Sequence, residues 1–499
     1  MPPARDHLVV VLPGIGGSML AVPGTDPPEL VWAAGLRDIG DVLRHPERLS
    51  VEERPELRPL GLIRSRKAFG VWTAVRGYEG LLGRLMALDG AVLDDGSRPV
   101  PNLDATVVAF GYDFRRSVAD AARRLDDEIR QRVRHLWPQD PLQAARVLLV
   151  AHSMGGLVAR YWAALPGNDQ LCRAMLTLGT PHRGAPKALD ILANGVAVGP
   201  SRIRRPREVL RGWPSVAELM PRYPAIADLR QPSHGSPHRS LERRASAANG
   251  RGRGFLRPDE VPMDWLEPLA RGAAKVHQAI DACWNDMPRT GPQVTPRIGY
   301  GHGTLRGCSW DGEKVRVGRA VGTAGLGAWA DDLGDGTVPA ISGLPVEMER
   351  HSPQDLRVAF RHGAIVDLDE VVPWVESFER RPADLQYYRK PDERPVALCL
   401  ELDELALAGR ALSVAATVRG VDADLSSTAM WVTLRPEAKQ GSSADVRLAW
   451  DGSGRAFHGE LATALPGVYR LQVDAREVPQ AGWLRAAEVV EVLDNVDLD

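Results

Sequence analysis

A serine among small residues is the strongest candidate for chemistry in this sequence of 499 residues. Ser153 lies in residues 151–156, AHSMGG, between an apolar run at residues 147–150 and an amphipathic stretch that follows. This order predicts a buried strand, a tight turn and a helix, which together hold a nucleophilic hydroxyl clear of a sheet. Bulky neighbours would obstruct so strained a turn, and Ala151 and Gly155 leave the space that it needs. A chance match on a glycine-rich loop is the alternative, and the flanking strand and helix patterns argue against it.

A nucleophilic serine needs a base that takes its proton and an acid that orients the base. The strand, serine turn and helix are typical of α/β-hydrolases, in which the chain order of the three groups is serine, acid, histidine. After Ser153 the best-framed acid is Asp335 in GDGTVP, residues 334–339, because the flanking glycines allow a tight loop from which the carboxylate projects. Asp331 and Asp332 lack this frame and are expected to be exposed loop acids.

Three histidines follow Asp335, namely His351, His362 and His458. His458 falls in a different kind of sequence near the carboxyl terminus, and His351 lies in a polar stretch that is typical of a surface turn. His362 follows the apolar run at residues 356–360, so we expect it at the end of a strand, where a base can reach the serine. His362 is therefore the predicted base, and a surface histidine without a role is the competing interpretation.

The loop after the first apolar strand is a candidate for binding the oxyanion of the reaction. Its glycines, in LPGIGGS at residues 12–18, allow backbone N–H groups to point into a site. No Gly-Lys-Ser/Thr triplet follows, so a nucleotide-binding P-loop is not expected. We assign the backbone N–H groups of Ile15 and of Met154, the residue after the serine, to the oxyanion hole.

Composition limits the other classes of function. The hydrophobic content of 44%, the charged content of 25% and the net charge of −2 are ordinary for globular proteins. The cysteines, at positions 172, 283, 308 and 399, lack the spacing of a metal site or a disulfide framework. We therefore expect free thiols in a reducing, cytoplasmic compartment, and neither a metal nor a cofactor. We find no pattern of a secretory signal and no apolar run long enough to span a membrane.

Two kinds of sequence divide the chain. Residues 1–380 alternate strand and helix patterns, which predicts a catalytic domain of the α/β class with a mostly parallel sheet and helices on both faces. With the strand–serine–helix pattern, this predicts an α/β-hydrolase fold.

Residues 381–395 are expected to form a charged, proline-containing linker. In residues 396–499 apolar residues alternate with period two in roughly seven short runs, which predicts an immunoglobulin-like β-sandwich. We expect this sandwich to bind or position a partner, and a purely structural appendage is the alternative.

A cap or lid insertion is expected at about residues 198–290, because the sequence between about residues 200 and 258 becomes rich in arginine, proline, glycine and serine. Residues 201–258 hold thirteen arginines against four acidic residues. A basic lid that contacts anionic lipid headgroups is one interpretation, with peripheral membrane contact as its consequence. A solvated loop is the other. Aromatic residues for base stacking are nearly absent from this segment, so no nucleic-acid partner is expected.

Several short motifs resemble the lecithin:cholesterol acyltransferase family and its lipase-like relatives. They are PGIGGS at 13–18, GYDFR at 111–115, AHSMGG at 151–156, LGTPHRGA at 178–185, WPSVAELMP at 213–221, GDGTVP at 334–339 and His362. They follow the family's order within residues 7–375. The resemblance implies an α/β-hydrolase that acts on lipid acyl esters, with Ser153, Asp335 and His362 as its triad and Ile15 and Met154 as its oxyanion hole.

From the residues and the resemblance we predict a serine esterase of lipase or phospholipase character, or an O-acyltransferase, that works through an acyl-enzyme. Its substrate would be a lipid or another acyl ester, and the sandwich would offer a site for a protein partner. Two alternatives remain open. One is a non-catalytic binding or scaffold protein on a hydrolase frame. The other is a peptide or thioester hydrolase that uses the same triad.

Overall fold

A computed structural model of the chain describes residues 5–33, 44–64, 68–69, 74–75, 77–98, 100–139, 146–198, 201–222, 227–228, 263–285, 291–310, 314–319, 333–348, 356–379, 396–436, 443–463 and 465–494. The predicted linker, residues 381–395, lies outside these ranges, as do Asp331, Asp332 and His351, which the sequence analysis set aside.

Residues before the predicted linker form a parallel sheet of seven strands and several smaller sheets. The strands are β1 (Leu8–Leu12), β2 (Ser18–Val22), β3 (Glu29–Trp32), β4 (Arg58–Leu62), β5 (Ala68–Phe69), β6 (Ala74–Val75), β7 (Leu93–Asp94), β8 (Val107–Ala109), β9 (Val147–His152), β10 (Cys172–Leu178), β11 (Val196–Val198), β12 (Ser201–Ile203), β13 (Ala227–Asp228), β14 (Gln293–Gly299), β15 (Gly307–Trp310), β16 (Val315–Gly318) and β17 (Arg357–Val358). Seven of them form the central sheet in the order β17-β14-β10-β9-β1-β8-β7. Its neighbouring strands all pair in parallel.

Helices accompany this sheet along the chain. They are α1 (Glu79–Leu85), α2 (Val118–Leu136), α3 (Met154–Ala163), α4 (Asn168–Leu171), α5 (Pro186–Asn194), α6 (Pro206–Arg211), α7 (Pro214–Glu218), α8 (Glu267–Asn285) and α9 (Val371–Glu379). β1 and β9 are buried along their whole length, as expected for strands covered on both faces. The parallel sheet with its helices supports the predicted α/β-hydrolase fold.

Helix α2, which follows β8 along the chain, can be explained by its sequence pattern. The side-chain oxygen of Ser117 accepts a hydrogen bond from the backbone N–H of Ala119, which caps the helix at its amino end. Leu125, Ile129 and Val133 recur every four residues and are fully buried on one face. Because this face packs against α3, the helix supports the element that begins just after Ser153.

The carboxyl ends of parallel strands meet at one edge of a sheet, and sites on open α/β sheets form there. β1 ends at Leu12, just before the glycine loop, and β9 ends at His152, just before Ser153. β17 ends at Val358, four residues before His362. The fold therefore places the predicted nucleophile, base and oxyanion loop at the same edge.

The described part of the predicted insertion packs onto the main core. Trp213, which precedes α7, is fully buried beside the ring of Phe114, and its indole N–H donates to the carbonyl of Leu49. α8 packs against α7 and buries Ile280 and Trp284. Residues 229–258, which hold seven of the thirteen arginines, lie outside the described ranges.

The residues after the linker form two sheets that share one core. The strands are β18 (Ala397–Leu402), β19 (Leu405–Leu407), β20 (Ala411–Arg419), β21 (Ala429–Pro436), β22 (Ala444–Arg447), β23 (Ala449–Asp451), β24 (Ala456–Ala462), β25 (Gly467–Val478) and β26 (Gly482–Leu493). The sheets have the orders β18-β20-β24-β23 and β19-β26-β25-β21-β22. Their inward side chains pack together, for example Leu400, Met430, Phe457 and Leu471. We call these two sheets the C-terminal module.

The described module has nine strands where the sequence predicted about seven, because one predicted run changes sheet midway and one short strand was not predicted. The run at residues 446–450 is divided, since β22 pairs with β21 in one sheet and β23 pairs with β24 in the other. The strand that was not predicted is β19, which pairs with β26. Alternation of apolar residues shows which face is buried, but it does not show which strand lies alongside.

None of the helices in the described ranges is both long enough and apolar enough to cross a membrane.

Candidate active site

Ser153 lies on a strained turn between β9 and α3. Its backbone has φ 53° and ψ −123°, a conformation that costs a residue with a side chain on the order of 1–3 kcal/mol. The turn is held by the backbone N–H of Ser153, which donates to the carbonyl of Leu178 over 2.9 Å. A Cβ atom at Gly155 would lie 2.6 Å from the carbonyl oxygen of Pro13, so only glycine fits there. Gly155 is thus required by close packing against the start of the glycine loop, and Gly156 by close packing against Thr180.

The structure brings Ser153, His362 and Asp335 into one hydrogen-bonded row. Nε2 of His362 lies 2.9 Å from Oγ of Ser153, and Nδ1 lies 2.7 Å from Oδ2 of Asp335. Oδ1 of Asp335 accepts hydrogen bonds from the backbone N–H groups of Thr337 and Val338, over 2.9 and 2.7 Å. An ionised carboxylate only accepts, so Nδ1 carries the proton and Nε2 is left to accept from the serine. This is the arrangement in which a histidine can act as a base toward a hydroxyl.

All three side chains are buried, with at most 6% of each residue exposed. Close packing also leaves no room for a larger side chain at Gly179, next to the histidine and the acid. A Cβ atom at Gly179 would lie 3.0 Å from Oδ2 of Asp335 and 3.2 Å from Nδ1 of His362. Gly179 also has φ 57°, a backbone region that favours glycine. Gly179 of the motif LGTPHRGA therefore packs closely against the imidazole of His362 and the carboxylate of Asp335.

The predicted oxyanion loop lies directly against the nucleophile. Residues 14–17 form a turn in which the N–H of Gly17 donates to the carbonyl of Gly14. A Cβ atom at Gly14 would lie 2.9 Å from Cβ of Ser153. Ile15 lies in this turn, and Met154 is the first residue of α3, where the N–H groups of a helix lack partners within the helix. Met154 is thus next to the serine in the chain, Ile15 lies in the loop that packs against the serine, and their role as oxyanion donors stays a prediction.

A second chain of hydrogen bonds joins the glycine loop to the segment that carries the base. The N–H of Gly14 donates to the hydroxyl oxygen of Tyr78 over 2.8 Å. That hydroxyl lies 2.8 Å from Nδ1 of His152, and Nε2 of His152 lies 3.0 Å from the carbonyl oxygen of His362. The carbonyl only accepts, so Nε2 of His152 carries the proton and Tyr78 donates to Nδ1.

Electrostatics agree with this assignment. Burial, with a smaller contribution from His362, lowers the pKa of His152 to about 3, so its imidazole is neutral at physiological pH. Burial also raises the pKa of the Tyr78 hydroxyl, which keeps its proton available as a donor. A neutral imidazole at His152 therefore places no positive charge next to the ring of His362.

The sequence analysis missed part of this chain. It did not single out Tyr78 as a site residue, because a lone tyrosine at the start of an apolar helix is an ordinary core residue. It also left out His152, which lies at the end of β9 directly before the nucleophile. The rings of His152 and His362 lie 5.0 Å apart between centroids. His458, by contrast, lies on β24 of the C-terminal module, as its different sequence context predicted.

No group of three or more histidine, cysteine, aspartate or glutamate side chains in the described ranges is arranged to hold a metal ion. The four cysteines, all within the described ranges, form no disulfide bond with one another.

A sequence model of the lecithin:cholesterol acyltransferase family matches residues 102–241. This segment contains Ser153 and its turn, and it ends before Asp335 and His362. The match confirms the resemblance that the motifs indicated. The chain is thus similar to this family of lipase-like α/β-hydrolases. A comparison of the sequence with curated proteins gives no match.

Solved structures with similar coordinates include two forms of lipase BlEst2 from Bacillus licheniformis. The propeptide form is 10% identical, with 98% of this chain and 94% of that chain covered and a TM-score of 0.32. The mature form is 11% identical, with 76% and 95% covered and a TM-score of 0.33. The PKD domain of the human VPS10 domain-containing receptor SorCS2 is 18% identical, with 23% and 92% covered and a TM-score of 0.15. At TM-scores this low the likenesses carry no inference.

Proposed function

We propose that this protein is a serine-dependent carboxylic ester hydrolase or acyltransferase that acts on lipid acyl esters. The observation that carries the proposal is the row of Ser153, His362 and Asp335, with 2.9 and 2.7 Å between successive partners. The match of residues 102–241 to the lecithin:cholesterol acyltransferase family supports lipid acyl esters as the substrate class. Phospholipase or lipase character is part of the same proposal.

In the proposed mechanism, His362 takes the proton of Ser153 while the serine oxygen attacks the ester carbonyl carbon. Asp335 holds the imidazole in place and stabilises its protonated form. The N–H groups of Ile15 and Met154 bind the oxyanion of the tetrahedral intermediate, and the loss of one such donor typically costs about 3 kcal/mol of barrier. His362 then passes the proton to the leaving alcohol, and an acyl-enzyme remains.

A second pass through the same groups completes the cycle. His362 deprotonates a water molecule or an acceptor alcohol, whose oxygen attacks the acyl carbon and releases Ser153. Hydrolysis and transfer differ only in the nucleophile of this step. Exclusion of water by the predicted cap, residues 198–290, would favour transfer.

The proposal also includes a domain organisation, with a catalytic domain at residues 1–380, a linker at 381–395 and an immunoglobulin-like sandwich at 396–499.

Covalent labelling with a fluorophosphonate tests the proposal. Oγ of Ser153 would displace fluoride from phosphorus, so labelling reports a working nucleophile without knowledge of the substrate. We expect labelling of the unmodified protein and none of Ser153→Ala. Ser215→Ala is a matched control, because Ser215 is also fully buried but donates to the carbonyl of Phe114 away from the site.

Absence of labelling that depends on Ser153 would overturn the proposal and favour a non-catalytic scaffold. Turnover of short-chain, long-chain and phospholipid esters, compared with peptides and thioesters, then tests the substrate class. Preference for a peptide or a thioester would contradict the lipid part of the proposal. Mass spectrometry of products with and without an added alcohol separates transfer from hydrolysis.

The arginine-rich part of the insertion is proposed to contact anionic lipid surfaces. Vesicle binding should then strengthen with the fraction of anionic lipid and weaken with added salt, because salt screens attraction between exposed charges. Equal binding to neutral and anionic vesicles would remove this role.

A further inference from the structure

The C-terminal module lies beside the two segments that carry the acid and the base. β18 is an edge strand of its sheet, so one side of its backbone is available to groups outside the module. Leu400 uses that side. Its carbonyl oxygen lies 3.1 Å from Nη1 of Arg361, and its backbone nitrogen lies 3.0 Å from Nδ1 of His302. Both partners belong to the catalytic part of the chain, close to the predicted triad.

Arg361 precedes the base His362 in the chain and reaches into the module. Nη2 of Arg361 lies 2.9 Å from Oε1 of Glu404, and Nε lies 2.7 Å from Oε2 of Glu488. Glu404 follows β18, and Glu488 lies on β26 in the other sheet of the module. The three side chains are nearly or fully buried, with 5%, 10% and 1% of their surface exposed. The segment of the base is thus joined to both sheets of the module.

Opposite charges within this cluster shift the pKa values of Arg361 and Glu404 toward their charged forms. Burial alone would lower the pKa of the Arg361 guanidinium, but the carboxylates of Glu488 and Glu404 raise it above its ordinary value. For Glu404, burial would raise the pKa, and the cations Lys187 and Arg361 hold it below its ordinary value. The cluster therefore consists of charged groups that compensate each other, as a buried arginine requires.

The segment of the acid is joined to the module through His302. The N–H of His302 donates to the carbonyl of Gly334 over 2.9 Å, and His302 pairs with Asp335 as a short parallel bridge. Burial lowers the pKa of His302 to about 3, so its ring is neutral, and its Nδ1 lies 3.0 Å from the backbone nitrogen and 3.2 Å from the carbonyl oxygen of Leu400. Close contact continues beside it, since a Cβ atom at Gly301 would lie 2.4 Å from Sγ of Cys399.

Arg361 also lies close to the segment of the acid. A Cβ atom at Gly336, the residue after Asp335, would lie 3.2 Å from Nη2 of Arg361. The guanidinium is therefore next to the acid's loop and is paired with two carboxylates of the module, while its backbone continues into the base, His362. Acid and base both lie on irregular segments, and a displacement of about 1 Å in a catalytic group can cost about 100-fold in rate.

We propose that Arg361 is a positioning residue through which Glu404 and Glu488 of the C-terminal module hold Asp335 and His362 in register with Ser153. The module then serves the reaction directly, as part of the support of the site. The proposal rests on the proposed function, because positioning has meaning only if the triad works. It assigns a role to the last hundred residues that a passive appendage would not have.

Glu404→Gln and Glu488→Gln, separately and together, test this proposal in the full chain. Each keeps the size of the side chain and removes one negative charge that holds Arg361. Two rates are measured on the folded protein: the rate constant of fluorophosphonate labelling at Ser153, and kcat with KM for an ester that the unmodified protein hydrolyses. We expect the double variant to lose about 10- to 100-fold in labelling rate and in kcat, with little change in KM.

Asp94→Asn is the matched control for a general loss of stability. Oδ2 of Asp94 lies 2.6 Å from Nη2 of Arg132, and their side chains are 5% and 1% exposed, so this pair resembles the Arg361 cluster in burial. It lies between β7 and α2, away from the triad. Asp94→Asn should lower the thermal midpoint by as much as Glu488→Gln does, and leave the labelling rate of the folded fraction unchanged.

Arg361→Lys provides a second variant if the double variant does not fold. Lysine keeps the positive charge but lacks the planar fork that reaches two carboxylates and a carbonyl at once. We expect a smaller fall in the labelling rate than in the double variant. Labelling of the folded Glu404→Gln/Glu488→Gln and Arg361→Lys proteins at the rate of the unmodified protein would overturn the positioning role.

The two proposals fail in different ways. If the unmodified protein does not label at Ser153, the proposed function fails and the positioning role with it. If the unmodified protein labels and turns over ester while the Glu404 and Glu488 variants match it, only the positioning role fails. An equal loss of labelling in Asp94→Asn and Glu488→Gln would also overturn it, because the effect would then follow from stability alone.

Discussion

The turn that carries Ser153 lies between a strand and a helix that are buried in the main core, whereas Asp335 and His362 lie on irregular segments beside the C-terminal module. Every residue of β9 is buried, and α3 continues directly from the turn. The acid and base segments depend instead on bonds from elsewhere, such as those of His302 and Arg361. The comparison shows that one site is held by two means: chain continuity with a sheet for the nucleophile, and long-range contacts for the groups that serve it.

The two sides are joined at two places. On the serine side, Tyr78 and His152 connect the glycine loop to the backbone of His362. On the module side, Arg361 connects the base to the acid loop and to Glu488. If the comparison is right, substitutions on the serine side disturb the turn and the oxyanion loop, and substitutions on the module side disturb the base and the acid.

The largest effect is expected from removal of the base or of the acid. His362→Ala should lower kcat by about 10⁶-fold, and Asp335→Asn by about 10⁴-fold, because the amide favours the wrong tautomer of the histidine. Steady-state ester hydrolysis measures both. His458→Ala, on β24 of the module, is the control and should leave kcat unchanged. Activity of His362→Ala at the level of the unmodified protein would remove this histidine from the mechanism.

The free energy of unfolding should fall at acid pH because of buried histidines, including one on each side of the site. Burial lowers the pKa of His152 and of His302 to about 3, and that of His7 to about 4. The unfolded chain binds these protons near pH 6.5 and the folded chain does not, so stability is present above pH 6.5 and is lost as pH falls below it. Each histidine contributes on the order of 1 kcal/mol per pH unit. Urea unfolding at pH 7.5, 6 and 5 measures this loss, and an unchanged free energy of unfolding over that range would contradict it.

A methyl group added at Gly155 tests how closely the serine turn and the glycine loop depend on each other. Gly155→Ala places Cβ 2.6 Å from the carbonyl oxygen of Pro13 and 2.8 Å from that of Leu12, so the glycine loop must shift. We expect a loss of about 1–3 kcal/mol in the free energy of unfolding and a slower rate of labelling at Ser153. Gly83→Ala on α1 is the control, since no atom lies within 4 Å of its Cβ and alanine favours the helix by about 1 kcal/mol. Equal stability of the two variants would mean that the turn tolerates a displacement.

The smallest effect is expected where the serine side meets the base. Tyr78→Phe leaves the N–H of Gly14 and Nδ1 of His152 without the hydroxyl, which should cost about 1–3 kcal/mol in stability. The oxyanion loop loses its anchor, so kcat should also fall, by about tenfold. Tyr469→Phe is the control, because its buried hydroxyl donates to the carbonyl of Leu465 within the module. A fall in kcat of the same size in both variants would show that the link to the glycine loop has no special role.

Much of the fold could be predicted from the sequence because its signals are local. The strand expected at residues 147–150 is observed as Val147–His152, and the helix expected after Ser153 as Met154–Ala163. Alternation in residues 396–499 predicted strands correctly and miscounted them, since it does not report a change of sheet. The three predicted triad residues lie together, and their catalytic roles stay predictions until the labelling experiment is done.

The sequence by itself determined the strand, turn and helix around Ser153, because small residues at fixed spacing and an apolar run carry that geometry within sixteen residues of chain. It also narrowed the acid and the base to Asp335 and His362, because the order of the groups in such sites is limited. Only the tertiary structure decided that Tyr78 and Arg361 support them. Those contacts join residues far apart in the chain, and their strength comes from shared burial and charge compensation, which no local pattern of residues encodes.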